Sequence, residues 1–89
     1  MKLFIVVAVD TSVTADGKPR VLTHYTNIDE AKNFVKHDME NFIDFVAEEN
    51  SVDVSELKPI FNLNEMSVRT ENDTYHCEWN IEEIDIILP

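Results

Sequence analysis

Cysteine is nearly absent. Cys77 is the only one, so no intramolecular disulfide can form and a disulfide-stapled secreted scaffold is excluded. A single glycine cannot build a phosphate-cradling loop, which removes the nucleotide folds that depend on one. With only three prolines beside it, the chain has little room for a flexible linker, and it contains no internal repeat or low-complexity segment. Basic residues are scarce as well. Seven Lys and Arg face eighteen Asp and Glu, a formal charge of −11. Phosphate contact needs a basic stripe, so direct nucleic-acid binding is excluded, and the same charge repels anionic membranes. Long apolar runs are missing too: Leu3 to Val9 is the longest, far below the ~18 residues of a membrane span. It imitates a secretory leader only loosely, since one base precedes it and Asp10 closes it early; a core strand is expected instead. The lone thiol and the missing span point to the cytoplasm.

What is present is 89 residues, 44% hydrophobic, with aromatics spread along the chain. That suits one domain, residues 1–89, with one thin core. The charge is unevenly placed. Residues 1–44 carry seven acids and five bases, a net of −2; residues 45–89 carry eleven acids and only Lys58 and Arg69, a net of −9. A surface this negative attracts basic protein faces.

Lys2 to Asp10 reads as a strand, and its continuous β-branched run suggests a central strand covered on both faces. Asp16-Gly17 marks a turn into a second strand, Arg20 to Thr26, so the two should form an antiparallel hairpin with Val21, Thr23 and Tyr25 on one face. Asn27 caps a helix running to about Glu49, with Glu30 placed to return the capping bond. Ile28, Ala31, Phe34, Val35, Phe42, Ile43, Phe45 and Val46 make its apolar face. Asp53-Val54-Ser55-Glu56 offers a second cap, limited by Pro59 to one or two turns. Met66 to Thr70 is a short strand, followed by a polar turn at Glu71 to Thr74. From Tyr75 the chain alternates, with Tyr75, Cys77, Trp79 and Ile81 on one face. Ile84, Ile86 and Leu88 have the opposite parity, so a bulge at Glu82-Glu83 is expected to return them to the core side.

The order β-β-α-short α-β-β predicts an α+β fold: an antiparallel sheet of four or five strands with one long helix packed on one face. One helix covers one face only. Residues 52–64, a second copy of the chain or a partner must then cover the other.

No catalytic, cofactor or metal site is expected. His24, His37 and His76 lack the short spacings of a metal motif, and the Asp10 to Asp16 loop lacks the ligand rhythm of a calcium loop. Cys77 reads as a small buried side chain, because the surrounding carboxylates raise a thiol pKa. Trp79 and Tyr75 should pack under the helix. The candidate partner-binding residues are Glu65, Glu71, Asp73, Glu78, Glu82, Glu83 and Asp85. Held outward on strands and turns, such carboxylates can imitate a phosphate backbone and occupy the groove of a nucleic-acid-binding protein.

The stretches KLFIVVAV, TNIDEAKNFV and YHCEWNIEEIDIIL resemble, in pattern, small uncharacterised β-β-α-β proteins of bacteria and phages. The resemblance covers most of the chain, implies a compact and phage-encoded protein, and carries no catalytic residue. Together these features lead to an expected function without catalysis: a small acidic binding protein, a phage or mobile-element inhibitor that occupies a basic surface of a host protein such as a nucleic-acid enzyme. The alternative is an accessory or structural domain that acts by homodimerisation or assembly through an apolar sheet face.

Overall fold

The β-branched run at the start of the chain forms β1 (Lys2–Asp10), and the turn at Gly17, whose φ of 67° suits glycine, leads into β2 (Pro19–Tyr25). The helix α1 spans Ile28–Asn50. A single 3-10 turn at Val54–Glu56 precedes β3 (Lys58–Phe61), β4 (Met66–Arg69) and β5 (His76–Asp85). The computed structural model describes residues 1–13, 15–62 and 64–87. The strands form one sheet in the order β2-β1-β5-β4-β3, with every neighbouring pair antiparallel, and α1 packs against it. This is the α+β arrangement the pattern predicts, with β3 as the fifth strand. Pro59 sits in β3 at the sheet edge, where its missing N–H is tolerated.

Asn27 starts the helix as expected: its Oδ1 accepts from the amides of Asp29 at 2.8 Å and Glu30 at 3.4 Å. The return bond expected from the Glu30 carboxylate does not form among the described residues. That reciprocal box appears instead at the 3-10 turn, where Asp53 caps Ser55 and Glu56 reaches back to the Asp53 amide. The helix ends at Ser51 in the left-handed region, φ 54°, a conformation glycine adopts more easily. Its last turn has no basic residue to answer the macrodipole, and Glu48 and Glu49 stand there.

The helix buries Ala31, Val35, Met39 and Val46, with Phe34, Phe42, Ile43 and Ala47 packed beside them. Two residues expected on that face lie outside it, Ile28 at 40% exposure and Phe45 at 62%. Met39 completes the stripe four residues after Val35. Beneath it lie Phe4, Val6 and Ala8 of β1, Val68 of β4 and Cys77 and Trp79 of β5. Val6, Val35 and Val68 are fully buried, each contributing about 1.5–3 kcal/mol relative to exposure. Trp79 joins both layers. Its ring meets Phe42 edge-on at 5.8 Å and 82°, and its Nε1 donates to the Asp38 carboxylate at 2.8 Å.

The register corrects two expectations. The β1–β5 ladder runs without a break from Lys2↔Asp85 to Asp10↔Cys77, so no bulge occurs at Glu82-Glu83. Ile84 therefore stays on the face opposite Trp79, across from Leu3; Leu88 lies outside the described residues. The irregularity is in β2 instead. Val6 pairs with Thr23 and Val7 with Val21, leaving Leu22 as the extra residue. Thr23 and Tyr25 share the helix side, the Tyr25 ring lying 6.2 Å from that of Phe34 and tilted by 51°, while Val21 turns to the other side at 71% exposure. A bulge lets an edge strand serve the core at one end and bend away at the other.

Nor do the described residues of 52–64 cover the second sheet face. Leu57 belongs to the core cluster and Val52 packs against it, the 3-10 turn touches α1, and β3 extends the sheet sideways. On the second face Leu3, Ile5, Val7 and Val9 are half-buried.

Candidate interaction surfaces

Alternation along β5 divides its acids between the two sides of the sheet. Glu78 and Glu82 lie opposite Val9 and Ile5, on the side away from α1. Glu83 and Asp85 lie opposite Phe4 and Lys2, on the side that carries the helix. All four are exposed. On that side Glu83 and Asp85 are two residues apart, ~6.5–7 Å along the strand, whereas Glu78 and Glu82 are four apart, ~13 Å. Glu71 and Asp73 stand on the β4–β5 turn, where Asp73 has a φ of 58°. Glu65 precedes β4 and accepts from the Ser67 hydroxyl at 2.7 Å. The seven acids thus occupy two faces and two turns, and β5 alone brings four of them onto one element.

Few of these charges are answered. Lys2 Nζ lies 3.1 Å from Glu83, and that proximity, with Asp85 nearby, raises the lysine pKa. It is the only Lys or Arg ion pair among the described residues. Glu78 lies 3.3 Å from His76 Nε2.

The sheet face opposite α1 is apolar along β1. Leu3, Ile5, Val7 and Val9 form a row flanked by Val21 and His24 of β2 and by Glu78, Asn80, Glu82 and Ile84 of β5. Ile84 is 41% exposed. The continuous run of β1 pointed to a strand covered on both faces; among the described residues only the α1 side is covered.

A second feature follows from unequal strand lengths. The backbone of Ile86 bonds Met1, and the carbonyl of His76 accepts from Thr11, so the even-numbered residues of β5 turn their backbone groups toward β1. The odd-numbered ones turn the other way, as Tyr75 does in accepting from Thr70. The β4 ladder stops at Met66↔Trp79. Beyond it, Ile81, Glu83 and Asp85 point their N–H and C=O groups at an edge that no strand pairs among the described residues. A groove of about 320 Å³ opens beside this edge, lined by Ile28 and Lys32 of α1, Phe61 and Met66 of the β3–β4 hairpin, and Asn80 and Ile81 of β5. Sequence patterning located both strands. It held no signal for where their ladder ends.

One polar cluster was also invisible in the sequence. Thr11 Oγ1 lies 2.8 Å from His76 Nδ1, and Glu78 lies at the other ring nitrogen, so a hydroxyl, an imidazole and a carboxylate are in line. Nucleophilic chemistry would also need backbone amides aimed at a developing oxyanion. Here the amides of Thr11, Ser12 and Val13 are all donated, to the His76 carbonyl, the Asp10 carboxylate and the Thr74 carbonyl. The cluster pins the Asp10–Val13 loop to β5. A larger open groove, about 720 Å³, runs between the 3-10 turn and the β4–β5 turn, with Lys58, Glu56 and Glu71 on its walls.

Burial, with Asp10 and Asp38 adding to it, pushes the Cys77 thiol up to about 12, as its apolar and acidic setting predicts. No group of three or more His, Cys, Asp or Glu is placed to hold a metal among the described residues. No helix there is long and apolar enough to cross a membrane. Comparison with protein-family models, curated proteins and solved structures finds no match.

Proposed function

We propose that this is a small acidic binding protein, without catalysis, that occupies a basic surface of another protein. The observation that carries the reading is β5: Glu78, Glu82, Glu83 and Asp85 stand exposed on one strand of a hydrogen-bonded sheet, with a single lysine among them. The sheet fixes the spacing at which these carboxylates leave the backbone, and their field steers the encounter with a basic groove. A nucleic-acid-binding enzyme supplies such a groove, and a phage or mobile-element inhibitor of a host enzyme is the concrete form. The cytoplasm is the compartment that fits it.

The test is capture of partners from host lysate by the wild-type chain and by a variant with Glu78, Glu82 and Glu83 all changed to Lys, followed by titration in salt. The reading requires a basic partner held by the wild type alone, with affinity falling at least tenfold as salt rises from ~50 to ~200 mM. Equal capture by the reversed variant, or indifference to salt, would sink it.

A second reading has its own support in the apolar row of β1 on the uncovered face: assembly of two copies through that face. Sedimentation at micromolar concentration decides it, because a mass near the 10.3 kDa of one chain excludes the homodimer.

A further inference from the structure

We propose that the free edge of β5, Ile81 to Asp85, receives an extended, basic segment of the partner as an added strand. This deepens the preceding reading and rests on its basic partner. Three independent features converge there. The first is the backbone itself: Ile81, Glu83 and Asp85 present three N–H and three C=O groups outward along ~13 Å of strand, the template for strand addition. The second is the groove of about 320 Å³ where β4 ends, apolar at Ile28, Phe61, Met66 and Ile81. The third is charge. Glu83 and Asp85 lie on the same side of the sheet as that groove, with Lys2 across from Asp85 and paired to Glu83, so two carboxylates face one lysine along this edge, and Lys32 stands on the groove wall.

The two other edges of the sheet are protected. β2 carries Pro19 and the Leu22 bulge, and β3 is four residues long with Pro59 inside it. Both are devices that discourage pairing. The edge beyond Trp79 has neither: Ile81 to Asp85 contains no proline, and its register is regular.

Geometry sets the sequence of the occupant. Directly paired residues on adjacent strands put their side chains on the same face, so the occupant residue beside Ile81 should be apolar and reach into the groove. Its residues beside Glu83 and Asp85 should be Lys or Arg. The motif in the occupant is therefore apolar-x-basic-x-basic, read in either direction according to whether the added strand is parallel or antiparallel. A second copy of this chain fits badly, since its own β5 edge offers Glu83 and Asp85 to the same carboxylates.

The experiment uses the full-length chain and two capped seven-residue peptides. Both carry Leu, Arg and Arg at alternating positions. The second also has N-methyl groups on the amides that would bond β5. Charge and side chains are the same, and the N-methyl groups remove the donors and block the close approach of the two backbones. Titration by amide-resolved NMR should show the unmethylated peptide binding with slowed exchange at Ile81, Glu83 and Asp85, and the methylated peptide at least tenfold weaker. Glu83→Gln with Asp85→Asn should weaken the first peptide several-fold, while Glu71→Gln with Asp73→Asn, on the distant turn, should not.

Equal binding of both peptides, or shifts confined to Leu3, Ile5, Val7 and Val9, overturns the edge as the site even if the salt-dependent capture of a basic partner succeeds. Protection of the same three amides by self-association, with no added peptide, overturns the basic occupant in favour of a second copy.

Discussion

Removing the Asp38 carboxylate leaves the indole N–H of Trp79 without its acceptor in a side chain that is only 4% exposed. A hydrogen bond to a charged group contributes about 1.5–3 kcal/mol, and a stranded buried donor loses that contribution. Asp38→Ala recovers up to about 0.7 kcal/mol because alanine is the better helix former in the middle of α1. The net loss is about 1–2.5 kcal/mol, which for a domain of this size lowers the melting temperature by about 5–15 °C. Asp38→Asn keeps an oxygen where the indole points but removes its charge, so it should lose roughly half as much. Trp79 is the only tryptophan, so urea unfolding followed by its emission reads the site directly, and circular dichroism at the helix band reads the whole fold. The two probes should move together. An alanine variant within about 3 °C of wild type would refute the reasoning, as would an asparagine variant no better than alanine.

Two further outcomes come from single residues. Ser51 holds a left-handed conformation at the end of α1, so Ser51→Gly should stabilise the fold by roughly 0.5–1 kcal/mol, seen as a melting temperature a few degrees higher; no change or a decrease would show that the Ser51 side chain contributes more than its backbone strain removes. Cys77 should ignore a thiol reagent at pH 8 until the protein is unfolded. Its folded pKa is raised from 9.0 to about 12, so its contribution to stability is whole below about pH 9 and is lost as pH rises towards 12, where only the unfolded chain ionises. Cys77→Ala should flatten that alkaline decline; an unchanged slope would assign it to other groups, such as the Lys2–Glu83 pair.

Most elements were legible because each carries a local cause: the β-branched run of β1, the Asn27 cap, the Asp53-x-x-Glu56 box and the alternation from Cys77 to Ile81; β3, four residues with Pro59 inside, carries no such signal and was not read as a strand. The helix stripe was read too long at its start, where Ile28 is the first helical residue, and too wide at one margin, where Phe45 lies. Ile28 and Phe45 fit the spacing and yet lie outside the contact, while Met39 fits it and is buried. Side-chain type alone does not say how wide a stripe the sheet can cover. The Leu22 bulge left no mark, since β2 alternates well enough in either phase. The hydroxyl–imidazole–carboxylate line from Thr11 to Glu78 depends on Thr11 and His76, 65 positions apart, which only the β1–β5 pairing brings together.

The failed bulge at Glu82-Glu83 says most about the candidate surfaces. It was inferred because Ile84, Ile86 and Leu88 have the opposite parity to Tyr75, Cys77, Trp79 and Ile81, on the premise that both sets belong to one side of the sheet. The regular register removes the premise. Ile84 lies across from Leu3 on the side away from α1, in line with the row Leu3, Ile5, Val7 and Val9. Glu83 and Asp85 consequently fall on the groove side, beside the outward backbone of the same strand. A bulge would have turned one of them away and broken the run of free N–H and C=O groups. The same unbroken alternation therefore places Ile84 on the uncovered face and Glu83 and Asp85 on the groove side, while the early end of β4 leaves the edge beside them unpaired.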